Sequence, residues 1–153
     1  MSDRPGGDYA PFVPRSGRRV ALGFGVGSVV VFGVLALVLP GISGTGWGAA
    51  DSLLLLGFGL MITAAMWRFA ALRAVPSTTG LTVRNVLLTR TLSWSQIRRV
   101  RFAGGDPWVI LDLDDGDELA VMAVQKADGE RGRREAARLV ALVQAGQRPR
   151  PGA

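Results

Sequence analysis

The feature that most constrains this chain is a run of twenty residues, 20–39, with no charged side chain and no strongly polar one except Ser28. As an α-helix the run would be about 30 Å long, which matches the hydrocarbon layer of a membrane. A helix on the surface of a water-soluble domain would instead carry polar residues every three or four positions. The run therefore predicts a transmembrane helix. It exceeds the length of a signal-peptide core and no Ala-x-Ala site follows it, so we expect it to be retained.

A second apolar segment, SLLLLGFGLMITAAMW, occupies residues 52–67 and predicts a second span at about residues 49–70. With the first, it makes residues 19–73 a two-helix transmembrane hairpin. Arginine and tryptophan are typical of the ends of membrane spans, where aromatic rings and long cationic side chains reach the lipid headgroups. The residues predicted to flank the membrane are Arg18, Arg19, Trp47, Trp67, Arg68 and Arg73.

The distribution of arginine predicts the orientation of the hairpin. Arginines precede the first span and follow the second, whereas the connecting loop carries only Asp51. Cationic residues near a span tend to stay on the cytoplasmic side. We therefore expect a multi-pass protein of the cell membrane with both termini in the cytoplasm.

The composition excludes several function classes. The 153 residues include neither cysteine nor histidine, and the net charge is +6. Residues 77–147 contain ten basic and nine acidic side chains, so the basic excess belongs to the membrane flanks and the tail. Nucleic-acid binding, which needs a concentrated basic surface, is not expected. Neither enzymatic activity nor a cofactor is expected, because no nucleophile has an evident activating partner and the glycine-rich GFGVG lies inside the first apolar run.

Beyond Gly80 the hydrophobic pattern changes to alternation, which predicts strands. Their approximate limits are 80–84, 86–92, 96–103, 107–113 and 118–124. An amphipathic helix is predicted at 128–146, with Asp128 as its N-cap and Gly146 as its stop. The remaining segments are predicted to be a disordered cytoplasmic arm at 1–18, a short linker at 74–79 and a free tail at 147–153.

The order of these parts resembles the bacterial PH domain family, specifically small actinobacterial membrane proteins related to low molecular weight protein antigen 6. The resemblance is carried by TTGLTVRNVLLTRTLSWSQIRRVRF, by GDPWVILDLDDGDELAVMAVQ and by the terminal helix. It implies that residues 77–146 form a PH-like antiparallel β-sheet with a C-terminal helix, facing the cytoplasm, with Trp94, Ile97 and Trp108 in its core. Arg84 and Arg90 do not reproduce the basic pattern of phosphoinositide-binding members.

Two charged clusters and one glycine pair leave alternatives open. The acidic residues of 112–118 do not have EF-hand spacing, so no metal site is predicted there. Arg98, Arg99 and Arg101 are candidates for contact with lipid or a partner, although they could also pair with the acidic hairpin or face water. Gly23 and Gly27 permit close helix packing, either within this hairpin or in a homo-oligomer, unless the pair reflects chance glycine usage.

The sequence thus predicts a membrane α-helical hairpin followed by a small α+β domain. Its predicted function is that of a membrane-anchored, non-enzymatic binding or scaffolding module. Its partners would be membrane lipids and a membrane-associated protein. The alternative is a small subunit of an oligomeric transporter or channel, although two spans without a mid-depth ionisable residue cannot enclose a pathway alone.

Overall fold

The structure is a computed structural model that describes residues 9–42, 46–102 and 104–148. Residues 1–8 of the predicted arm, residues 43–45 of the loop between the spans and residues 149–153 of the tail lie outside the described residues. The chain forms two compact units. One is Gly17–Ala70, and the other joins the described residues before Gly17 to those after Ala70.

The first unit consists of two helices, α1 at Ser16–Ile42 and α2 at Ala49–Ala70. Both are long and apolar enough to cross a membrane. Only 17% of the most apolar stretch of α1 and 6% of that of α2 are buried, whereas the core helix of a soluble protein would be mostly buried. The apolar side chains of these helices therefore face outwards, as lipid-facing side chains do.

The two helices pack through small and hydroxyl-bearing residues. The hydroxyl of Thr63 lies 3.1 Å from the carbonyl oxygen of Gly25 and 2.9 Å from that of Gly59, and its single hydrogen is shared between these two acceptors. A Cβ atom at Gly59 would lie 2.7 Å from Cβ of Phe32, so only glycine fits there. Gly23 and Gly27 have nothing within 4 Å of such an added atom. The explanation of that glycine pair as packing within the hairpin is therefore wrong, and its role in a homo-oligomer stays a prediction.

The second unit contains six strands and a helix. The strands are β1 at Arg73–Pro76, β2 at Gly80–Arg84, β3 at Thr89–Ser93, β4 at Ile97–Arg101, β5 at Trp108–Leu113 and β6 at Glu118–Gln125, and the helix is α3 at Glu130–Gln147. They form two antiparallel three-stranded sheets, ordered β1-β2-β3 and β4-β5-β6. The PH-like sandwich with a C-terminal helix is thereby confirmed. One strand was missed: β1 occupies the first half of the predicted linker at 74–79.

Helix α3 covers the sandwich with an apolar stripe. Its buried residues are Gly132, Ala136, Leu139, Leu142 and Val143. Gly146 does not stop the helix as predicted; it lies in the last turn, where an added Cβ would lie 2.3 Å from Cγ of Trp94. The N-cap is Gly129 rather than Asp128. The prediction failed because both residues serve contacts with segments distant in sequence.

The segment before α1 packs onto the sandwich. Phe12 is 1% exposed and pairs with Ala74 of β1 through two backbone hydrogen bonds of 2.8 and 3.0 Å. The guanidinium of Arg138 lies 3.9 Å from the centre of the Phe12 ring. From residue 9 onwards the structure thus differs from the predicted disordered arm. A Gly-, Pro- and Arg-rich composition cannot build a core alone, but one aromatic ring can complete a core built elsewhere.

Asp128 holds the end of this same segment. Its carboxylate accepts hydrogen bonds from the backbone N–H groups of Arg15, at 3.1 Å, and Ser16, at 2.8 Å. Partial desolvation alone would raise the pKa of Asp128, but these hydrogen bonds and nearby Arg131 together lower it. Asp128 therefore stays ionised at neutral pH and ties the N-terminal segment to the chain just before α3.

Candidate functional site

The candidate site is a basic rim formed by Arg98 and Arg99 on β4. The register of β4 and β5 shifts between Ile97 and Arg99, which marks a β-bulge. In a regular strand neighbouring side chains point to opposite faces, whereas a bulge inserts one residue and interrupts the alternation. Ile97 is consequently buried while both arginines are exposed. Neither arginine forms an ion pair within the part of the chain that the structure describes.

Arg101 behaves differently from its two neighbours. Its Nε atom lies 2.9 Å from a carboxylate oxygen of Asp112, and its Nη2 atom contacts Glu118. Partial burial alone would lower the pKa of Arg101, but attraction to Asp112, Glu118 and Asp106 raises it. Arg101 is thus permanently charged and largely neutralised, so the three predicted contact residues are not equivalent.

A shallow depression of about 480 Å³ lies between the basic rim and these carboxylates. Its lining residues are Arg98, Arg99, Arg101, Asp112, Leu113, Gly116 and Glu118. Arg98 and Arg99 line the depression without an ion pair to any described residue, and a guanidinium can bind a carboxylate or phosphate through two parallel hydrogen bonds. The arrangement can bind an anionic group, and among the described residues it offers no nucleophile with an activating base.

The acidic hairpin between β5 and β6 is tied to the other sheet. Arg90 of β3 reaches Asp115 at 3.2 Å and Asp117 at 3.4 Å. Gly116 at the tip has a positive φ of 89°, a conformation that favours glycine. Within the described ranges no group of acidic residues has the geometry of a metal site. These carboxylates therefore connect the two sheets of the sandwich.

The residues predicted from the resemblance lie in or beside the core. Trp94 and Ile97 are buried, and the indole N–H of Trp94 donates to the carbonyl of Ser77 at 3.1 Å. Trp108 is only partly buried at the start of β5. The ring of Trp94 packs directly against Gly146, so position 146 has no room for a side chain.

The predicted membrane-flanking residues are spread along both helices and β1. Arg18 and Arg19 are exposed in the first turn of α1, and Trp67 and Arg68 are exposed in the last turn of α2. The indole of Trp47 donates to the hydroxyl of Ser52 at 3.0 Å. Arg73 is the first residue of β1 rather than an extension of α2. Their contact with a membrane surface stays a prediction.

Sequence reasoning missed one exposed apolar feature. Leu87 and Leu88, in the turn between β2 and β3, are 84% and 71% exposed. The sequence suggested a single strand over 86–92, which would have placed alternate residues of this turn in the core. The signal was the pair of adjacent leucines that begins two positions after Asn85, a residue that favours turns.

The comparisons with known proteins agree with this architecture. Residues 71–142 match the family described as Bacterial PH domain. Two uncharacterized proteins, one from Mycobacterium bovis and one from Mycobacterium tuberculosis, are each 37% identical to the chain over 95 residues. The match covers 62% of this chain and about 62% of the length of each of these relatives. No solved structure matches the chain significantly.

Proposed function

Because residues 71–142 belong to the bacterial PH domain family, we propose that this chain is a membrane-anchored binding module whose PH domain faces the cytoplasm. The membership supports a binding or scaffolding role for the domain. The apolar helices α1 and α2 would anchor it, and the basic rim of Arg98 and Arg99 would recognise an acidic surface of a membrane-associated protein.

The observation that carries the proposal is the unpaired charge of the basic rim. Most other arginines of the PH domain have a nearby carboxylate, as Arg90, Arg101, Arg131, Arg133 and Arg138 do. Arg98 and Arg99 have none among the described residues, although they border a depression that contains two carboxylates. Exposed unpaired charges contribute little to folding, whereas on the rim of an interface they steer association with an oppositely charged partner.

Photocrosslinking from position 99 in cells tests the binding role. We expect a photoreactive residue replacing Arg99 to yield a discrete adduct with one membrane-associated protein. The same residue replacing Arg134, which is exposed on α3, serves as the matched control and should yield none. Equal labelling at both positions would contradict the proposal. Recovery of lipid alone would replace the protein partner with an anionic lipid.

Charge reversal at the basic rim provides a second test, in which the affinity for the partner identified by crosslinking is measured. The change of Arg98 and Arg99 to glutamate should weaken binding on the order of tenfold, because each exposed charge contributes up to about 1 kcal/mol. The loss should shrink as salt is added, since salt screens exposed charges. Arg134→Glu should leave the affinity unchanged.

A further inference from the structure

We propose that the turn at residues 85–88, called here the leucine turn, inserts Leu87 and Leu88 into the headgroup layer of the membrane that holds α1 and α2. This inference rests on the proposed membrane anchoring. It names a second contact surface, distinct from the basic rim, and its ligand is the lipid surface itself.

The leucine turn is a firmly held projection. The backbone N–H of Asn85 donates to the carbonyl of Leu88 at 2.8 Å and closes the turn. The side-chain amide of Asn85 donates to the carbonyl of Ala120 at 2.7 Å, and its oxygen accepts from the backbone N–H of Met122 at 3.3 Å. These bonds fix the turn to β6 while both leucines stay exposed. A pre-ordered apolar tip loses little conformational entropy when it binds.

The strand register places this turn at the end of the sheet where the chain arrives from the helices. Arg73 at the start of β1 pairs with Arg84 at the end of β2, directly before the turn. Only two residues separate Ala70, the end of α2, from Arg73, so the chain limits their Cα atoms to about 11 Å. Phe12, four residues before the start of α1 at Ser16, pairs with the adjacent Ala74. Both covalent connections to the helices thus begin beside the strand end that carries the leucine turn.

The distances along the chain fit insertion. Because residues 85–88 form a closed turn, its tip lies about two strand rises of 3.3 Å, or roughly 7 Å, beyond Arg84. This reach is comparable to the connection between α2 and β1, which spans at most about 11 Å. Trp67 and Arg68, which occupy the last turn of α2, are residue types that favour the headgroup layer. The lengths of the turn and of the connection are therefore compatible with entry of the leucines into the headgroup layer of the proposed membrane.

A pair of like charges identifies the ligand as an anionic lipid surface. Arg73 and Arg84 lie directly opposite each other in the register, an arrangement that destabilises a sheet. Neither forms an ion pair with any residue that the structure describes. Arg90 is already bound to Asp115 and Asp117. Anionic headgroups would offset the repulsion between Arg73 and Arg84 while the acyl region accepts the leucines.

The absence of cysteine from the chain makes a site-specific test direct. The full chain, carrying Leu87→Cys with a fluorophore, is reconstituted into vesicles of phosphatidylcholine and phosphatidylglycerol that contain lipids with a shallow nitroxide quencher. We expect strong quenching at position 87. We also expect a water-soluble quencher to quench this label about tenfold less efficiently than a label at an exposed control position. The reason is that burial of even one leucine favours the inserted state by about that factor.

Two control positions separate the possible failures. Ser95→Cys is exposed beyond Ser93, which pairs with Gly80 at the opposite end of the same sheet, and it should report only water. Val30→Cys, in the middle of α1, should be quenched by deeply placed nitroxides. Quenching at 30 but not at 87 would overturn the insertion of the leucine turn and leave the anchor intact. A label at 87 shielded from both water and lipid would also overturn it, in favour of a protein contact. A water-exposed label at 30 would remove the anchor and this inference with it.

Discussion

At the scale of single residues, the PH domain depends on glycines that allow close approach. Gly146 faces the ring of Trp94, and an added Cβ at Gly80 would lie within van der Waals overlap of the carbonyl of Leu92. Such contacts cannot relax cheaply, because the neighbouring atoms belong to a buried ring or to the backbone of a paired strand. At Gly105 of the same domain an added Cβ would meet nothing within 4 Å, so this glycine provides a matched comparison.

Gly146→Ala should destabilise the PH domain by about 1–3 kcal/mol, because the new methyl group overlaps Trp94. Gly105→Ala is the matched control, since an added Cβ there meets nothing within 4 Å, and it should change stability by less than about 0.5 kcal/mol. Urea denaturation of the full chain in detergent, followed by hydrogen exchange of the β3 and α3 peptides, measures both. Equal stability of the two variants would refute the packing of Gly146 against Trp94.

At the scale of elements, the N-terminal segment behaves as an added part of the sandwich. Phe12 forms an antiparallel bridge with Ala74 of β1, and Arg138 of α3 covers its ring. Asp128 accepts hydrogen bonds from the backbone amides of Arg15 and Ser16. The guanidinium of Arg138 also donates to the carbonyl of Ala10 at 3.0 Å. The segment is thus held at three points by strand β1, helix α3 and the chain before α3.

Phe12→Ala should remove this attachment, since truncation of a buried phenylalanine costs about 3–5 kcal/mol. We expect amide exchange in peptides of β1 and of the N-terminal segment to accelerate by about 100-fold or more, because about 1.4 kcal/mol corresponds to a factor of ten. Tyr9→Ala serves as the control because Tyr9 is 39% exposed. Unchanged exchange in the Phe12 variant would mean that the segment contributes nothing to the domain.

At the scale of the whole molecule, the proposed arrangement is a helical hairpin with the PH domain and both termini on the cytoplasmic side. The two helices would bring the chain back to the face from which it started. Charge supports this arrangement, because the arginines lie at the outer ends of the hairpin and the only charged residue near the connecting end is Asp51, in the first turn of α2.

Single-cysteine labelling of intact cells tests this topology. A membrane-impermeant maleimide should label Ala49→Cys, which is exposed at the start of α2, without permeabilisation. It should label Ser95→Cys in the PH domain only after permeabilisation. Labelling of Ser95→Cys in intact cells would reverse the proposed orientation, and labelling of both residues from outside would exclude a spanning hairpin.

The sequence by itself determined the element types wherever a hydrophobic period is long and uninterrupted. The apolar runs predicted α1 and α2, alternation predicted strands β2, β5 and β6 closely, and the period of α3 was evident. These patterns are local, because each reflects how one element presents a face to a membrane, to water or to a core.

Only the tertiary structure decided the features that depend on contacts between distant segments. The four residues of β1 become a strand by pairing with β2. Phe12 packs against residues 74 and 138. Asp128 binds the backbone of residues 15 and 16 instead of capping α3. The exposure of Leu87 and Leu88 likewise follows from how Asn85 attaches their turn to β6. Such contacts join residues with no periodic relation in the sequence, so no local pattern records them.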